Sequence, residues 1–427
     1  MRLNTASEPA LAGPIAGNIS ALPSRNMKNA TLHVLTLTPF YPSLENEVNG
    51  CFVKEPLDCL AQSGLVSSVI AVRPIYQVRQ HETPAAPARW IRYPQIPGTM
   101  GLANAGRFLY ARLLREVMHL ESKGPIDVIH AHAALPCGHA ASLLARRLNI
   151  PYIVTVHGLD VFNSCDSAGI SAQKRRQASI AAYKDASAVI CVSGKVRQIL
   201  RDGMSGNVAS AVVYNGADPE VFSPAFLGGD STSMPACADR KEILIVGNLI
   251  ASKGQELVLR SMHRLVAVIP ELQCRIIGEG PDRPRLEALV RELGIRERIH
   301  FLGRQSRAAV AEAMRRCSIF VLPSRNEGLG CVYLEAMACA KPVIGCRGQG
   351  IEEIIEHEKS GWLIQAHRFD ELAHGLSILL QSPELASNIG MAARQKIVSE
   401  LTIAHQARHC ADIYRAAVSD SERLPRH

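Results

Sequence analysis

The chain has 427 residues, of which 47% are hydrophobic, 20% charged and 5% aromatic, and its formal net charge is +8. The length exceeds one ordinary domain, and the apolar share is too high for a disordered chain. No apolar run approaches the roughly 18 residues of a membrane span. The positive charge is spread over both halves, and the aromatics that usually accompany nucleic-acid binding are scarce. The composition therefore predicts a folded multi-domain protein that binds a small anion or an anionic membrane surface, and no nucleic acid.

Twelve cysteines are scattered along the chain. They form no C-x-x-C pair and no zinc-like spacing with histidines, and several lie inside apolar segments. This usage predicts buried free thiols in a reducing cytosol and gives no sign of a zinc site.

The first 30 residues contain prolines and small polar residues but no continuous apolar core. We interpret 1–30 as a flexible leader and not as a secretory signal, with Met27 as an alternative start. From residue 31, apolar segments of strand length alternate with helical periodicity, which predicts a parallel sheet covered by helices on both faces over 31–218. The predicted strands are 32–37, 66–72, 128–130, 152–156, 188–192 and 211–214, and the predicted helices are 53–62, 107–120, 140–148, 172–185 and 195–202.

A stretch rich in Pro, Gly and Ser over 219–239 is typical of a linker. The same alternation then restarts over 240–400, so the sequence predicts an α/β protein with two doubly wound domains and a ligand in the cleft between them. The predicted strands are 243–247, 274–278, 299–302, 319–323, 342–345 and 361–364. The predicted helices are 255–268, 283–293, 308–316 and 332–339, followed by a helical region over 371–418 and a tail over 419–427.

The strongest local signal is the segment 318–345, which predicts a strand, a glycine-containing loop, a helix start and a second strand. Gly328 and Gly330 allow the backbone to approach a ligand closely, and free amides at the helix start suit phosphate. Carboxylates at Glu327 and Glu335 suit hydroxyl groups, as on a sugar or a ribose. We therefore expect both carboxylates to face the cleft, against the alternative that both are exposed surface residues.

Two further strand ends carry candidate ligand contacts. Gly247 and Asn248 precede Lys253, which falls at a predicted helix start, where a cation is unfavourable unless an anion lies beside it. This position suggests a contact with a diphosphate. Gly278 and Gly280 form a third strand-end turn, which taken alone is a weak signal. The chain lacks the fingerprints of dinucleotide dehydrogenases, P-loop enzymes and G-x-S-x-G hydrolases.

In the first half, His157 follows a strand and precedes Gly158, which is where α/β clefts place ligand-binding groups. Asp160 is a candidate acceptor contact or helper base. His130 and His132 show no partner in the sequence, so we interpret them as structural residues.

Taken together, these segments resemble the family 4 retaining glycosyltransferases of GT-B fold, over roughly 32–418. Glu327 and Glu335 match the family's E-x7-E signature. The flanking matches are Pro323-Ser324, 335–338, Pro342-Val343, 189–193, 215–218 and Phe222.

The resemblance implies transfer of a sugar from a nucleotide-sugar donor, with retention at the anomeric carbon and no metal. UDP-sugars are the commonest donors of this family. The acceptor would be a glycan or a lipid-linked molecule of surface polysaccharide or glycoconjugate synthesis. The resemblance also implies that the helix 401–418 crosses back to the first domain.

The resemblance implies a catalytic set of His157, Glu327 and Lys253. Glu327 would hold sugar hydroxyls, Glu335 the ribose and Lys253 the diphosphate, with His157 near the reacting sugar and Asp160 on the acceptor side. The implied donor-binding residues are Gly50, Gly247, Asn248, Lys253, Gly278, Gly280, Glu327, Gly328, Leu329, Gly330 and Glu335.

The chain departs from the family pattern at two places. Asn248 stands where members commonly have Arg, and Asn49-Gly50 replaces the glycine pair often found in the first loop. Two alternatives stay open at this point, a non-catalytic nucleotide-sugar binding protein and a sugar-nucleotide epimerase of the same fold. A phosphorylase of the pyridoxal-phosphate type would be far longer.

Basic residues of the first half suggest a peripheral contact with the inner face of a membrane for a cytoplasmic enzyme. The residues concerned are Arg107, Arg112, Arg115 and the cluster Lys174-Arg175-Arg176. An ordinary solvated surface is the alternative.

Overall fold

The computed structural model describes residues 31–44, 46–77, 85, 87–98, 101–158, 160–161, 169–203, 208–224 and 241–423. The predicted leader 1–30, most of the predicted linker 219–239 and the end of the predicted tail lie outside these residues. The domain boundaries therefore stay predictions.

The first half of the chain forms a parallel seven-stranded sheet with the strand order β3-β2-β1-β4-β5-β6-β7. Its central strands are buried on both faces, which explains why they are nearly continuous apolar runs. The strands are β1 His33–Thr38, β2 Val66–Pro74, β3 Arg89–Tyr93, β4 Val128–His132, β5 Tyr152–Val156, β6 Ala188–Cys191 and β7 Ser210–Val212.

Amphipathic helices cover this sheet. In α2, Leu109, Leu113 and Val117 recur every four residues and are fully buried, while the opposite face is exposed. The helices of this half are α1 Cys51–Gln62, α2 Leu102–Lys123, α3 His139–Leu148, α4 Ile170–Lys184 and α5 Gly194–Gly203.

The second half repeats this plan with a parallel six-stranded sheet in the order β10-β9-β8-β11-β12-β13. The strands are β8 Glu242–Val246, β9 Gln273–Ile277, β10 Ile299–Gly303, β11 Ile319–Val321, β12 Val343–Cys346 and β13 Trp362–Ile364. The helices are α6 Gln255–Leu265, α7 Arg283–Glu292, α8 Arg307–Arg316, α9 Cys331–Ala338, α10 Phe369–Gln381, α11 Pro383–Glu400 and α12 Ile403–Arg423.

Both sheets reverse their direction of winding between the first and fourth strands, β1/β4 in one and β8/β11 in the other. Loops at such a switch point leave a crevice outside the carboxyl ends of the strands, where ligands of α/β proteins bind. The predicted α/β class with two doubly wound sheets is confirmed. None of the described helices combines the length and the apolar character that a membrane crossing requires.

Two details differ from the sequence-based expectation. The edge strand β3 was not predicted, because its first four residues are exposed or half-buried and include two arginines. The helical region after residue 371 is divided into three helices, with breaks at Ser382 and at Leu401-Thr402.

The loops of the two halves contact one another. The carboxylate of Glu353 accepts hydrogen bonds from the backbone N–H groups of Gly194 and Lys195 at 2.7 and 2.6 Å, at the N-terminus of α5. The hydroxyl of Tyr214 donates to the same carboxylate at 2.9 Å. A carboxylate at a helix N-terminus is stabilised by the free amides and by the helix dipole.

The last helix, α12, packs against α1 and against the central strands of the first sheet. The hydroxyl of Tyr414 lies 2.8 Å from Nδ1 of His130, and both side chains are buried. The second ring nitrogen of His130 lies 2.7 Å from Oγ1 of Thr155. The end of the chain is thus joined to the core of the first half by a buried polar contact.

We expect Tyr414→Phe to destabilise the protein, because it leaves a nitrogen of the buried His130 without its hydroxyl partner. The loss in free energy of unfolding should be about 1–3 kcal/mol. Urea unfolding of both proteins measures it. Tyr76→Phe, at a half-exposed position, is the matched control and should change the stability by less than about 0.5 kcal/mol. Equal effects of the two substitutions would contradict the assigned role of the Tyr414 hydroxyl.

Candidate active site

The carboxyl end of the second sheet brings together a half-buried ion pair. Nζ of Lys253 contacts Oε2 of Glu327, and the two side chains are only 21% and 13% exposed. The hydroxyl of Ser324 donates to the same carboxylate oxygen at 3.0 Å. Oε1 of Gln349 accepts from the backbone N–H of Glu327 at 3.0 Å, which fixes the loop.

The approach of Lys253 to Glu327 depends on Gly254. This residue has φ +72°, and a Cβ added to it would lie 2.3 Å from the carbonyl oxygen of Pro323. Only glycine allows this contact between the two loops. The backbone N–H of Arg325 also donates to the carbonyl of Ser252 at 2.6 Å, so the loop before α6 and the loop after β11 form one unit.

The loop that carries Glu327 also lies against the first half. The hydroxyl of Ser193 donates to the carbonyl of Gly328 at 2.6 Å. A Cβ at Gly328 would lie 2.4 Å from the carbonyl oxygen of His157, and one at Gly350 would lie 1.8 Å from that of Gly328. The loops at the two carboxyl edges therefore meet, as expected for a cleft between the halves.

The second carboxylate of the motif, Glu335, is paired with a different cation. It lies inside α9 and its side chain is 7% exposed. Nη1 of Arg307 donates to Oε1 of Glu335 at 2.8 Å, while Nε and Nη2 of Arg307 donate to the two carboxylate oxygens of Glu55 in α1 at 2.7 and 2.8 Å. The Arg307 guanidinium thus bridges the two halves of the chain.

Further groups surround this guanidinium. It lies 4.7 Å from the ring centre of Phe222, and its Nη1 lies 3.6 Å from Sγ of Cys51. The backbone N–H of Arg307 donates to Glu47 at 2.7 Å. Burial raises the pKa of Glu55 to about 7, and the adjacent Arg307 opposes that rise. The net charge near Arg307 is negative when Glu55 is ionised.

The glycines predicted to contact a ligand pack mainly against other backbone. A Cβ at Gly278 would lie 2.0 Å from the carbonyl oxygen of Gly247, and one at Gly280 would lie 2.3 Å from that of Leu249. These contacts bring the ends of β8 and β9 together. Asn248 is exposed next to them. Its backbone carbonyl accepts a hydrogen bond from Nε2 of Gln255 at 2.9 Å.

Two more predicted residues lie at helix N-termini. Gly50 precedes α1 with φ +85°, and a Cβ there would lie 2.5 Å from the backbone of Phe40 and Tyr41. Gly330 precedes α9 with φ +83°, next to the buried Leu329. The structure therefore explains Gly50 by backbone packing, and its predicted contact with phosphate stays a prediction.

On the first-half side, His157 belongs to a chain of buried histidines. Its Nε2 lies 2.9 Å from Nδ1 of His132, and the ring of His132 lies 4.4 Å from that of His130. The rings of Phe40 and Phe52 contact His157 at 5.7 and 4.9 Å between centres. Both His130 and His132 thus have hydrogen-bond partners that the sequence does not reveal, and their interpretation as structural residues stays a prediction.

Burial keeps these imidazoles neutral. It lowers the pKa of His157 to about 4 and that of His130 to about 3, and the pKa of His132 also lies well below its usual value. Between two neutral imidazoles only one can donate, so the tautomer of His132 sets the tautomer of His157.

Asp160 organises the loop after His157. Its Oδ1 accepts from the backbone N–H groups of Gly158 and Val161 at 3.0 and 3.2 Å. Burial raises the pKa of Asp160 to about 6, and these backbone hydrogen bonds oppose the rise. The side chain therefore has a structural role in this loop, and its acceptor contact stays a prediction.

Comparison with known proteins assigns the chain to a family. The model described as glycosyl transferases group 1 matches residues 234–396, and the model described as Glycosyltransferase Family 4 matches residues 53–221. An uncharacterized glycosyltransferase of Methanocaldococcus jannaschii is 31% identical over 271 residues, which are 64% of this chain and 70% of that protein. The chain belongs to glycosyltransferase family 4.

Solved structures show the fold of this glycosyltransferase. A sucrose-phosphate synthase of Thermosynechococcus elongatus has a TM-score of 0.75 and 22% identity, covering 91% of this chain and 100% of that one. HepE of Anabaena in complex with UDP-glucose has a TM-score of 0.68 and 16% identity, covering 90% of this chain and 100% of that one. The predicted GT-B fold is confirmed.

The structure brings Lys253 and Glu327 together and places Glu335 on a neighbouring helix. Sequence analysis missed Arg307, Glu55 and the role of His132. A signal for Arg307 exists in the sequence: it is a cation in the first turn of a helix, where it is unfavourable unless an anion lies close. The same argument had identified Lys253.

We expect the stability of this glycosyltransferase to fall as the pH drops from about 6.5 to about 4 in a manner that depends on His157. The unfolded chain binds a proton at this residue below its ordinary pKa of 6.5, whereas the folded protein does not until about pH 4, so acid favours unfolding in that window. Substitution of His157 should therefore remove its contribution to the dependence of stability on pH.

The measurement is the Tm of wild type and His157→Asn at several pH values between 8 and 4. The variant should lose less Tm than the wild type over the window. His119→Asn, at an exposed position on α2, serves as control and should follow the wild type. Parallel curves for wild type and His157→Asn would contradict the burial of a neutral His157.

Proposed function

We propose that the protein is a retaining glycosyltransferase that moves a sugar from a UDP-sugar to a glycan or lipid-linked acceptor of surface polysaccharide or glycoconjugate synthesis, without a metal ion. The observation that carries this proposal is the half-buried Lys253–Glu327 pair at the β8/β11 switch point. A cation and a hydroxyl-binding carboxylate at one ligand site suit a donor that is both a diphosphate and a sugar.

The donor class is further supported by a structural neighbour. The HepE structure is a complex with UDP-glucose, and its fold covers 90% of this chain. A nucleotide-sugar therefore fits the fold, and the residues above supply the chemistry that recognises its parts. UDP is proposed for this chain on that basis.

The charges of Lys253 and Glu327 suggest their roles in the reaction. Departure of the nucleoside diphosphate develops negative charge, and the ammonium of Lys253 is positioned to neutralise it. That ammonium is paired with Glu327 in this structure, so we expect donor binding to draw Lys253 towards the phosphates. Glu327 is then available to accept hydrogen bonds from sugar hydroxyls. A cation supplied by the protein fulfils the role that a metal has in other transferases.

The first half completes the site. The backbone carbonyl of His157 lies against Gly328, next to Glu327. A neutral imidazole offers one donor and one acceptor to a sugar or acceptor hydroxyl. In a retaining front-face reaction the leaving phosphate takes the acceptor proton, so His157 contributes orientation and polarity and not a strong base.

We expect Glu327→Gln to abolish sugar transfer, with a loss of at least about 10²-fold in kcat. The substitution removes the charge while keeping the shape. A screen of nucleotide-sugars by thermal shift selects the donor, and release of nucleoside diphosphate with candidate acceptors then measures turnover. Glu297→Gln, at an exposed position in the second half, is the control.

The same assay separates the alternatives. A non-catalytic binding protein would show a thermal shift with UDP-sugars but release no diphosphate with any acceptor. An epimerase would yield an altered free sugar without glycosylated acceptor, as mass spectrometry of the products reveals. Either result would overturn the transferase proposal for this chain.

We also propose that the exposed face of α2 contacts an anionic membrane. Arg107, Arg112 and Arg115 lie exposed on this helix with Phe108 and Met118, which are 51% and 43% exposed. Cations beside apolar side chains on one helix face are typical of interfacial helices. The cluster at 174–176 supports this less than expected, because two of its three side chains are turned into the protein.

Flotation with vesicles tests this contact. Wild type should float with vesicles containing anionic lipid and not with neutral vesicles, and the attraction should weaken at high salt. The combined change of Arg107, Arg112 and Arg115 to Gln should weaken the affinity for the anionic vesicles by about 10²-fold, at about 1 kcal/mol per charge. No flotation of the wild type would exclude the membrane contact.

A further inference from the structure

We propose that Arg307 is a positioning residue for the nucleotide: it orients the carboxylate of Glu335 for the ribose hydroxyls, and it is itself held in place by Glu55 from the opposite half of the chain. The inference deepens the proposed function and rests on it, since it assumes a nucleotide at this site. It goes beyond the family signature, which contains neither Arg307 nor Glu55.

The orientation of the Glu335 carboxylate is restricted by its surroundings. Its side chain projects from the middle of α9 and is almost completely buried. The hydrogen bond from Nη1 of Arg307 engages Oε1 at 2.8 Å. A carboxylate offers about four lone-pair sites, so a bond to one oxygen fixes its orientation and leaves acceptor capacity for hydroxyls. Two vicinal hydroxyls of a ribose are suitable donors.

The direction of the Arg307 guanidinium is fixed in turn by groups around it. Its Nε and Nη2 make a bidentate pair with the two oxygens of Glu55 at 2.7 and 2.8 Å. A planar guanidinium with this pairing has a fixed direction, which a lysine ammonium cannot reproduce. The ring of Phe222 lies near the guanidinium, and Glu47 holds the backbone of Arg307. The direction of Nη1 is therefore set by groups of the first half.

Arg307 connects carboxylates of the two halves of the chain. Glu335 belongs to the second half and Glu55 to α1 of the first, and Arg307 contacts both at once. The carboxylate that would bind the ribose thus has its full orientation only while the two halves are together. Ribose recognition depends on the contact between the halves, whereas the diphosphate site at Lys253 is built within the second half alone.

The test compares UDP with 2′,3′-dideoxy-UDP, which lacks the two ribose hydroxyls. Isothermal titration calorimetry measures both affinities for wild type, Arg307→Gln, Arg307→Lys and Glu55→Gln. Wild type should bind UDP at least about tenfold more tightly than the dideoxy analogue, the effect of losing hydrogen bonds to a charged group. In the three variants this ratio should fall to about twofold or less.

Arg316→Gln, at the exposed other end of α8, is the matched control and should keep the wild-type ratio. The ratio separates positioning from stability, because a merely structural Arg307 would weaken both nucleotides by the same factor. Should Arg307→Gln fail to fold, Arg307→Lys and Glu55→Gln decide the question.

An unchanged ratio in Arg307→Lys and Glu55→Gln, or an equal loss for both nucleotides, overturns the positioning role while leaving the proposed function intact. A wild type that binds neither UDP nor any other nucleoside diphosphate overturns the proposed donor site, and this inference falls with it. The two failures are thus distinguishable by the behaviour of the wild type alone.

Discussion

Each of the two carboxylates of the E-x7-E motif, Glu327 and Glu335, is paired with its own cation, and the arrangement of the candidate active site follows from this pairing. An ionised group that leaves water is stable only when it is paired and hydrogen-bonded. Glu327 is paired with Lys253 inside the second half, and Glu335 with Arg307, which also binds Glu55 of the first half. One pair is local, and the other joins the halves.

The fold was largely predictable, because buried parallel strands are apolar runs and the two halves repeat one plan. The strand β3 was not predicted, because a strand at the edge of the sheet is only partly buried and its sequence contains no apolar run. Glu327, Glu335 and Lys253 could be selected because the E-x7-E spacing and a cation at a helix start are visible in the chain. Arg307 and Glu55 are 252 residues apart, so their pairing exists only in the folded protein.

The histidines show a different limit of sequence analysis. His132 and His157 lie on neighbouring strands, so their pairing depends on the register of β4 and β5 and not on spacing along the chain. A lone histidine in an apolar strand is usually structural, and that expectation holds for His130, which is satisfied by Tyr414 and Thr155. His132 is also buried, and its Nδ1 contacts Nε2 of His157, so its interpretation as a structural residue stays a prediction.

The carboxylate of Glu353 at the start of α5 explains how two halves of the same topology come to have different tasks. Both halves present helix N-termini at their carboxyl edges, and either could attract a phosphate. In the first half the amides of Gly194 and Lys195 are already occupied by a side chain of the second half. These two amides are therefore not available to an external anion while Glu353 stays in place.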